Sequence, residues 1–309
     1  MKLKIAIFGS NSFSGSEAAN FFLKKGYEVF CFSKNHSKIN SKLKSKFYTF
    51  NINNKKDVDK AIKILNKKKI SYIINYISKS LVAESWKNPS EWYFTNSFSL
   101  PYFYFELRKV KKIRKVIHFS TPEVYGNTSK KISENNIFLP STPYAVSRVT
   151  GDQTLEILNK YFKLPYIITR ASNVYGENQD EYRIIPKTIN FLLNRKVLPL
   201  DGGGKTKRNF IHINDVNNAL LTILKKGAIG ECYHISGDDI ISIKKLVKLI
   251  SKKVGTPYKR YIKISKDRLG KDLKYHLDSR KLKKLRWKAN IKIEKGIDMV
   301  VNFILRKSK

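Results

Sequence analysis

Cysteine is nearly missing: Cys31 and Cys232 are the only two in 309 residues, each inside a strand-like run. Two such thiols exclude a disulfide framework and point to a reducing compartment. Long apolar runs are missing too. None reaches the roughly 18 residues that span a bilayer, and the apolar part of the opening "MKLKIAIFGS" is too short for a signal peptide. The expectation is a cytoplasmic protein with no membrane span and no metal. Internal repeats and low-complexity linkers are absent as well, which leaves one large domain or two sharing an interface.

Acids are scarce. The 24 Asp and Glu face 62 Lys and Arg, for a net charge of +38. Such a charge invites a nucleic-acid reading, yet Lys greatly outnumbers Arg, and the basic residues scatter from "KLKSK" to the final "LRKSK". No stripe interleaved with aromatics collects them. Solvated lysine faces are expected, with no nucleic-acid partner and a field that draws small diphosphates.

What the chain does contain is alternation. "KLKIAIFG", "YEVFCFS", "KFYTFNI", "SYIINYIS", "RKVIHFS" and "LPYIITRAS" read as strands separated by helical stretches such as "KKDVDKAIKILNKKK". That order implies right-handed crossovers and a doubly wound α/β fold, a parallel Rossmann sheet whose ligands sit at the carboxyl ends of the strands. After about residue 172 the pattern loosens, up to a last amphipathic helix near 294–306. We expect a dinucleotide-binding domain over 1–172, with 209–225 returning to it. A smaller substrate-binding portion would take 173–208 and 226–309.

"FGSNSFSGSEAA" follows the first strand and opens the first helix. Gly9 suits the tight turn and Gly15 a close helix–strand approach, while the helix N-terminus offers N–H groups and a positive dipole end to a pyrophosphate. Ser12 stands where a glycine is usual, at a cost of about 1–2 kcal/mol if that residue needs positive φ. Gly9, Asn11, Ser12, Phe13 and Gly15 are the expected cofactor contacts. A carboxylate ending the second strand would bind the adenosine ribose and repel a 2′-phosphate. This strand ends instead in Ser33, Lys34 and Asn35, so NAD and NADP both stay open.

Downstream, "STPYAVSR" sets Tyr144 and Arg148 four apart at the start of a helix, on one face. A free phenol, with pKa about 10, is a poor base. A cation about 4 Å away at an effective dielectric of 20 favours the phenolate by about 4 kcal/mol, nominally two to three pKa units. Such a cation would make the Tyr144 hydroxyl a usable acid or base; a surface helix start without chemistry is the other reading of the same spacing.

At these residues the chain resembles the extended short-chain dehydrogenase/reductase family, closest to the nucleotide-sugar 4,6-dehydratases, with epimerases and decarboxylases as cousins. "FGSNSFSG", "STPEVYG", "TPYAVSR", "RASNVYG", "YRIIPKTI", "LDGGGKTKRNFIHINDV" and "DRLGKDLKYHLD" carry the resemblance, in the family's order and over nearly the whole chain. It implies that Tyr144 takes the proton of the sugar 4-hydroxyl, Thr121 polarises the 4-oxygen and Glu123 removes the C5 proton. Arg148 stands where the family has lysine and keeps the charge but relays no proton. Pro122 stands where a proton donor is common, so the departing C6 hydroxyl would be protonated by water or Glu123. The resemblance further implies NAD or NADP as cofactor and a nucleotide-diphosphate sugar as substrate, bound by Asn173, Arg183, Arg208 and Arg268. Asn96 takes a supporting role on the cofactor side, and a homodimer forms through a bundle containing the Tyr144 helix. An epimerase, a UDP-glucuronate-type decarboxylase and a non-catalytic nucleotide-sugar sensor stand as alternatives.

Overall fold

The computed structural model describes residues 2–36, 46–127, 130–135, 137–238, 240–266 and 276–307. Seven parallel strands form its main sheet: β1 (Lys4–Phe8), β2 (Glu28–Ser33), β3 (Lys46–Thr49), β4 (Tyr72–Asn75), β5 (Lys115–Phe119), β6 (Tyr166–Ala171) and β7 (Cys232–Ile235). Their spatial order is β7-β6-β5-β4-β1-β2-β3. β1 pairs with β2 on one side, Ile7 against Cys31, and with β4 on the other, Phe8 against Asn75. The chain order reverses between β1 and β4, and a crevice opens at such a switch point beyond the strand ends.

The strands are apolar on both faces because helices cover both. On one face Ile5, Ile7, Ile117 and Ile167 pack under Ala18, Phe22, Val216 and Leu220. These come from helices α1 (Phe13–Lys24) and, further along the chain, α6 (Ile213–Lys226). On the other face Ala6, Phe8, Ile73 and Val116 pack under α2 (Lys55–Lys67), α3 (Leu100–Leu107) and α4 (Pro143–Phe162).

The remaining chain builds a smaller lobe. Its core joins Tyr175, Ile185, Ile189, Leu246, Ile250, Ile297 and Val300, drawn mainly from α5 (Ile184–Leu193), α7 (Ile243–Val254) and α8 (Ile293–Lys307). A three-stranded sheet, Ile240–Ser242, Lys207–His212 and Asn173–Tyr175, lies alongside. The expected domain limits need one correction. The return to the main sheet does not end at 225, because Cys232–Ile235 adds its edge strand, pairing residue for residue with Ile168–Ala171. A four-residue strand after a turn is too short to carry a periodicity of its own.

Candidate active site

The first loop is shaped by two glycines. Gly9 has φ +76°, and a Cβ on Gly15 would sit 2.2 Å from the Gly9 carbonyl oxygen, so only glycine lets α1 approach β1 this closely. Ser12 has φ −73° and caps α1, its Oγ accepting the Gly15 N–H at 3.1 Å and donating to Gly9 O at 2.7 Å. The left-handed cost anticipated for Ser12 does not arise. Phe13 presents its backbone and not its side chain at this turn. As the first residue of α1 its ring turns into the core.

That cleft, about 540 Å3, is lined by Gly9, Asn11 and Ser12 from the loop and by Ser33 and Lys34 from the end of β2. Beyond β3 and β4 it is lined by Phe50, Ile52, Asn53 and Tyr76 among others. Two buried polar atoms there lack a partner, Asn53 Oδ1 and Tyr76 Oη. The glycine cradle, the capped helix N-terminus and these orphaned atoms fit a nicotinamide dinucleotide.

The chemistry-bearing residues meet at the end of β5. Thr121 starts a helical turn over Pro122–Tyr125, its Oγ1 accepting the Glu123 N–H at 3.4 Å. Pro122 is the first residue of that turn, where its fixed φ is pre-organised. Gly126 closes it at φ +66°, where a Cβ would meet the Leu139 carbonyl at 2.1 Å. Thus Pro122 stiffens the loop presenting Glu123, which is half-buried.

α4 supplies the second half. Thr142 caps it by accepting the Ala145 N–H at 3.1 Å, and Pro143 fills its first turn. The Tyr144 N–H donates to Ser85 Oγ at 3.2 Å, and Ser147 Oγ donates to the Tyr144 carbonyl at 2.7 Å. Asn96, fully buried, accepts the Lys79 N–H at 2.8 Å and donates to Ser147 Oγ at 3.0 Å, tying the cleft wall to this helix. Sequence reasoning had no signal for Ser85, since only the packed fold brings it to α4.

Tyr144 is 9% exposed and Arg148 1%. Burial pushes the Tyr144 phenol up from its ordinary value, while Arg148, a hydrogen bond with Thr121 and Arg183 pull it back; Glu123 adds to the rise. The expected net lowering by Arg148 is therefore corrected. Desolvation outweighs the cation. Arg148 Nη2 donates to the Phe119 carbonyl at 2.7 Å, and its Nε and Nη1 are buried without partners.

Behind Arg148 lies a buried network that the motifs did not reveal. Asn75 Nδ2 donates to Tyr104 Oη at 2.8 Å, and Tyr104 Oη lies 2.5 Å from His118 Nδ1. His118 Nε2 is 3.2 Å from Asp152 Oδ1, and Arg170 Nη2 lies 2.8 Å from Asp152 Oδ2, which also accepts from Ser120 Oγ at 2.8 Å. Burial holds His118 down to about 4. Asp152 is held well below the usual carboxylate range: burial opposes this, but Arg170 and His118 together outweigh it. Asp152 follows Arg148 by four residues, a spacing that could have flagged it.

On the substrate side, Asn173 sits in register with Phe210 on the neighbouring strand, two residues from Arg208. Arg208 is half-buried, with Nη1 donating to the Lys207 carbonyl at 2.9 Å. Arg183 precedes α5 and is exposed. Arg268 lies outside the described residues.

A doubly wound sheet with a glycine-cradled cleft beyond β1, a Thr–Glu turn after β5 and a Tyr-x-x-x-Arg helix defines a short-chain dehydrogenase/reductase-type protein. Residues 5–236 match the NAD dependent epimerase/dehydratase family, and the chain belongs to it. A dTDP-D-glucose 4,6-dehydratase of Dictyostelium discoideum is 31% identical over 350 aligned residues, covering 96% of this chain and 80% of the relative. The dTDP-glucose 4,6-dehydratase of Bacillus anthracis, solved in complex with NAD, superposes with a TM-score of 0.89 at 25% identity, covering 99% of this chain and 97% of that one. UDP-glucose 4-epimerase of Thermotoga maritima, solved with UDP-glucose, superposes with a TM-score of 0.91 at 24% identity, covering 99% of this chain and all of that one. Fold alone does not separate the two activities.

Proposed function

We propose that the protein is a nucleotide-sugar 4,6-dehydratase, converting a nucleotide-diphosphate hexose into its 4-keto-6-deoxy product with loss of one water. The observation that carries this is Glu123. It acts electrostatically on Tyr144, and its own N–H bonds Thr121, the same residue that hydrogen-bonds the phenol. Interconverting a 4-hydroxyl needs a base and a polarising hydroxyl; a further carboxylate beside them suits abstraction of a second proton, the one at C5.

The loop at Gly9, Ser12 and Gly15, together with Lys34 and the unpartnered nitrogens of Arg148, would hold the dinucleotide, which would supply a store for a hydride. Tyr144 Oη takes the 4-hydroxyl proton while Thr121 holds the 4-oxygen. The resulting ketone acidifies C5, and Glu123 takes that proton as the C6–oxygen bond breaks. Pro122 has no proton to give, so Glu123 passes its own to the departing hydroxide, which leaves as water. Solvent then reprotonates C5. Asn173, Arg183 and Arg208 would hold the diphosphate, the two arginines through their bidentate forks.

A panel of nucleotide-diphosphate hexoses in deuterium oxide tests this. The expected product has lost one water and gained one deuterium at C5, and Tyr144→Phe abolishes it. Epimerised sugar without loss of water would move the chain to the second reading, a nucleotide-sugar epimerase, which Pro122 favours because it removes the proton donor for elimination.

We also propose a homodimer in a reducing, cytoplasmic setting. Phe98, Phe105, Ile157, Tyr161 and Phe162 are exposed on α3, α4 and the helical segment before α3, and Arg108 is stacked between Phe105 and Phe162. Both cysteines are free, and among the described residues no helix is long and apolar enough to cross a membrane. Phe162→Glu, read by light scattering, should shift the protein to monomer; an unchanged dimer would place the interface elsewhere.

A further inference from the structure

Arg148 and Asp152 stand four apart on α4, the spacing at which a cation and a carboxylate on one helix face pair. Both are buried, where opposite charges attract most strongly. Yet among the described residues they form no ion pair with each other. Asp152 Oδ2 accepts from Arg170 Nη2 and from Ser120 Oγ, both at 2.8 Å. Its Oδ1 lies 3.2 Å from His118 Nε2. Arg148 Nη2 donates instead to the Phe119 carbonyl at 2.7 Å and sits 3.3 Å from the same His118 nitrogen. The imidazole therefore stands between the guanidinium and the carboxylate.

Arg170 comes from β6, in register with His234 on β7, and is held there by more than Asp152. Its Nη1 donates to Tyr125 Oη and to Cys232 Sγ, the latter at 3.3 Å, and its guanidinium lies 4.8 Å from the centre of the Tyr125 ring. The charges in this buried group do not cancel. Burial keeps His118 neutral, and Asp152 offsets Arg170, so the surplus positive charge rests on Arg148. The Nε and Nη1 of Arg148 have no partner.

We infer that Arg170 is a positioning residue for the reaction: by holding Asp152 it keeps the carboxylate off Arg148 and leaves that charge free to act on Tyr144. The inference rests on the reading of Tyr144 as the base. Glu123 and Arg183 are the other charges facing Tyr144, and Tyr104 faces Arg148. Glu156, His234, Tyr125 and Cys232 face the Asp152–Arg170 pair. None of these is a permanent cation beside Asp152. Without Arg170, His118 would have to take up a proton to replace it, whereas Arg148 carries its charge at every working pH.

Arg170→Met tests this. The released carboxylate should close on Arg148, and a crystal structure of the variant should show the direct bond. The rising limb of the kcat/KM–pH profile should move up by about one to two units, and activity at pH 7 should fall about 10- to 100-fold. Asp152→Asn combined with Arg170→Met removes both buried charges, which spares folding, and should return the limb to its parent position. A merely structural role would lower the melting temperature without moving the limb. A limb unmoved in Arg170→Met, a limb displaced in the paired variant, or an Asp152 still on His118 and Ser120 in the crystal would overturn the inference. If Arg170→Met does not fold, the paired variant decides. The limb can be read on water loss or on epimerisation, so failure of the dehydratase reading leaves this test intact; without any turnover, the crystal structure decides.

Discussion

Arg148 offers the sharpest test of the site. It follows Tyr144 by four residues on α4, which places their Cβ atoms about 6 Å apart. A unit charge about 6 Å away at an effective dielectric of 20 interacts by about 3 kcal/mol, or about two pKa units. Removing the cation destabilises the phenolate, so the Tyr144 pKa rises and the deprotonated fraction at neutral pH falls. Arg148→Met should therefore shift the rising limb of the kcat/KM–pH profile upward by about two units and lower activity at pH 7 about 100-fold. Arg148→Lys keeps the charge and should shift the limb little. Since burial already holds the phenol above its ordinary value, parent activity should still be climbing above pH 8. Folding needs a parallel check by thermal melting. Loss of the bond to the Phe119 carbonyl leaves a buried acceptor unpaired, at a cost of about 1–3 kcal/mol. A limb that stays put in Arg148→Met, or moves equally in Arg148→Lys, would refute the electrostatic argument.

Three further outcomes follow from the same structure. Glu123→Gln should lower water loss by about 100- to 10,000-fold while C4 oxidation continues, seen as reduced-dinucleotide absorbance building up after substrate is added; undiminished water loss would remove Glu123 from the mechanism. Gly15→Ala should cost about 3 kcal/mol of stability, because its Cβ would lie 2.2 Å from Gly9 O, and should weaken dinucleotide binding with it; a variant that melts and binds like the parent would contradict the close approach. Burial lowers His118 to about 4 and His234 to about 3. Between those values and the ordinary histidine range the unfolded chain binds the extra protons, so stability falls with falling pH by about 1.4 kcal/mol per unit for each histidine. Glu17, Glu134 and Glu156, raised mainly by burial, oppose this in part. Melting temperatures taken from pH 7 to 5 should fall by several degrees, and a flat profile would mean the histidines are hydrated.

The sites legible in the sequence are those written in local chemistry. Gly9 and Gly15 mark the loop because no other residue fits a positive φ or a contact of 2.2 Å. Thr142 and Pro143 mark the start of α4, and with it the shared face of Tyr144 and Arg148. Other features were illegible for an equally physical reason. Phe13 looks like any loop-to-helix residue until the core shows where its ring goes. Ser85, Asn96 and His118 reach α4 from segments 30 to 59 residues away, and no spacing rule reports such contacts. Lys34 could be read as an absent carboxylate, yet only the cleft wall separates it from the many solvated lysines.

By itself, then, the sequence determined the alternation of strands and helices, the glycine cradle, and the shared helix face of Tyr144 and Arg148, whereas Thr121 and Glu123 were singled out only by the family resemblance. The first three follow from backbone preference or from spacing within a few residues. The tertiary structure alone decided that β7 closes the sheet, that Asp152 is held by Arg170 and His118, and that Tyr144 titrates above its ordinary range despite Arg148. Those outcomes turn on how much water is excluded around a group. That exclusion is set by segments far apart in the chain and exists only once they have packed together.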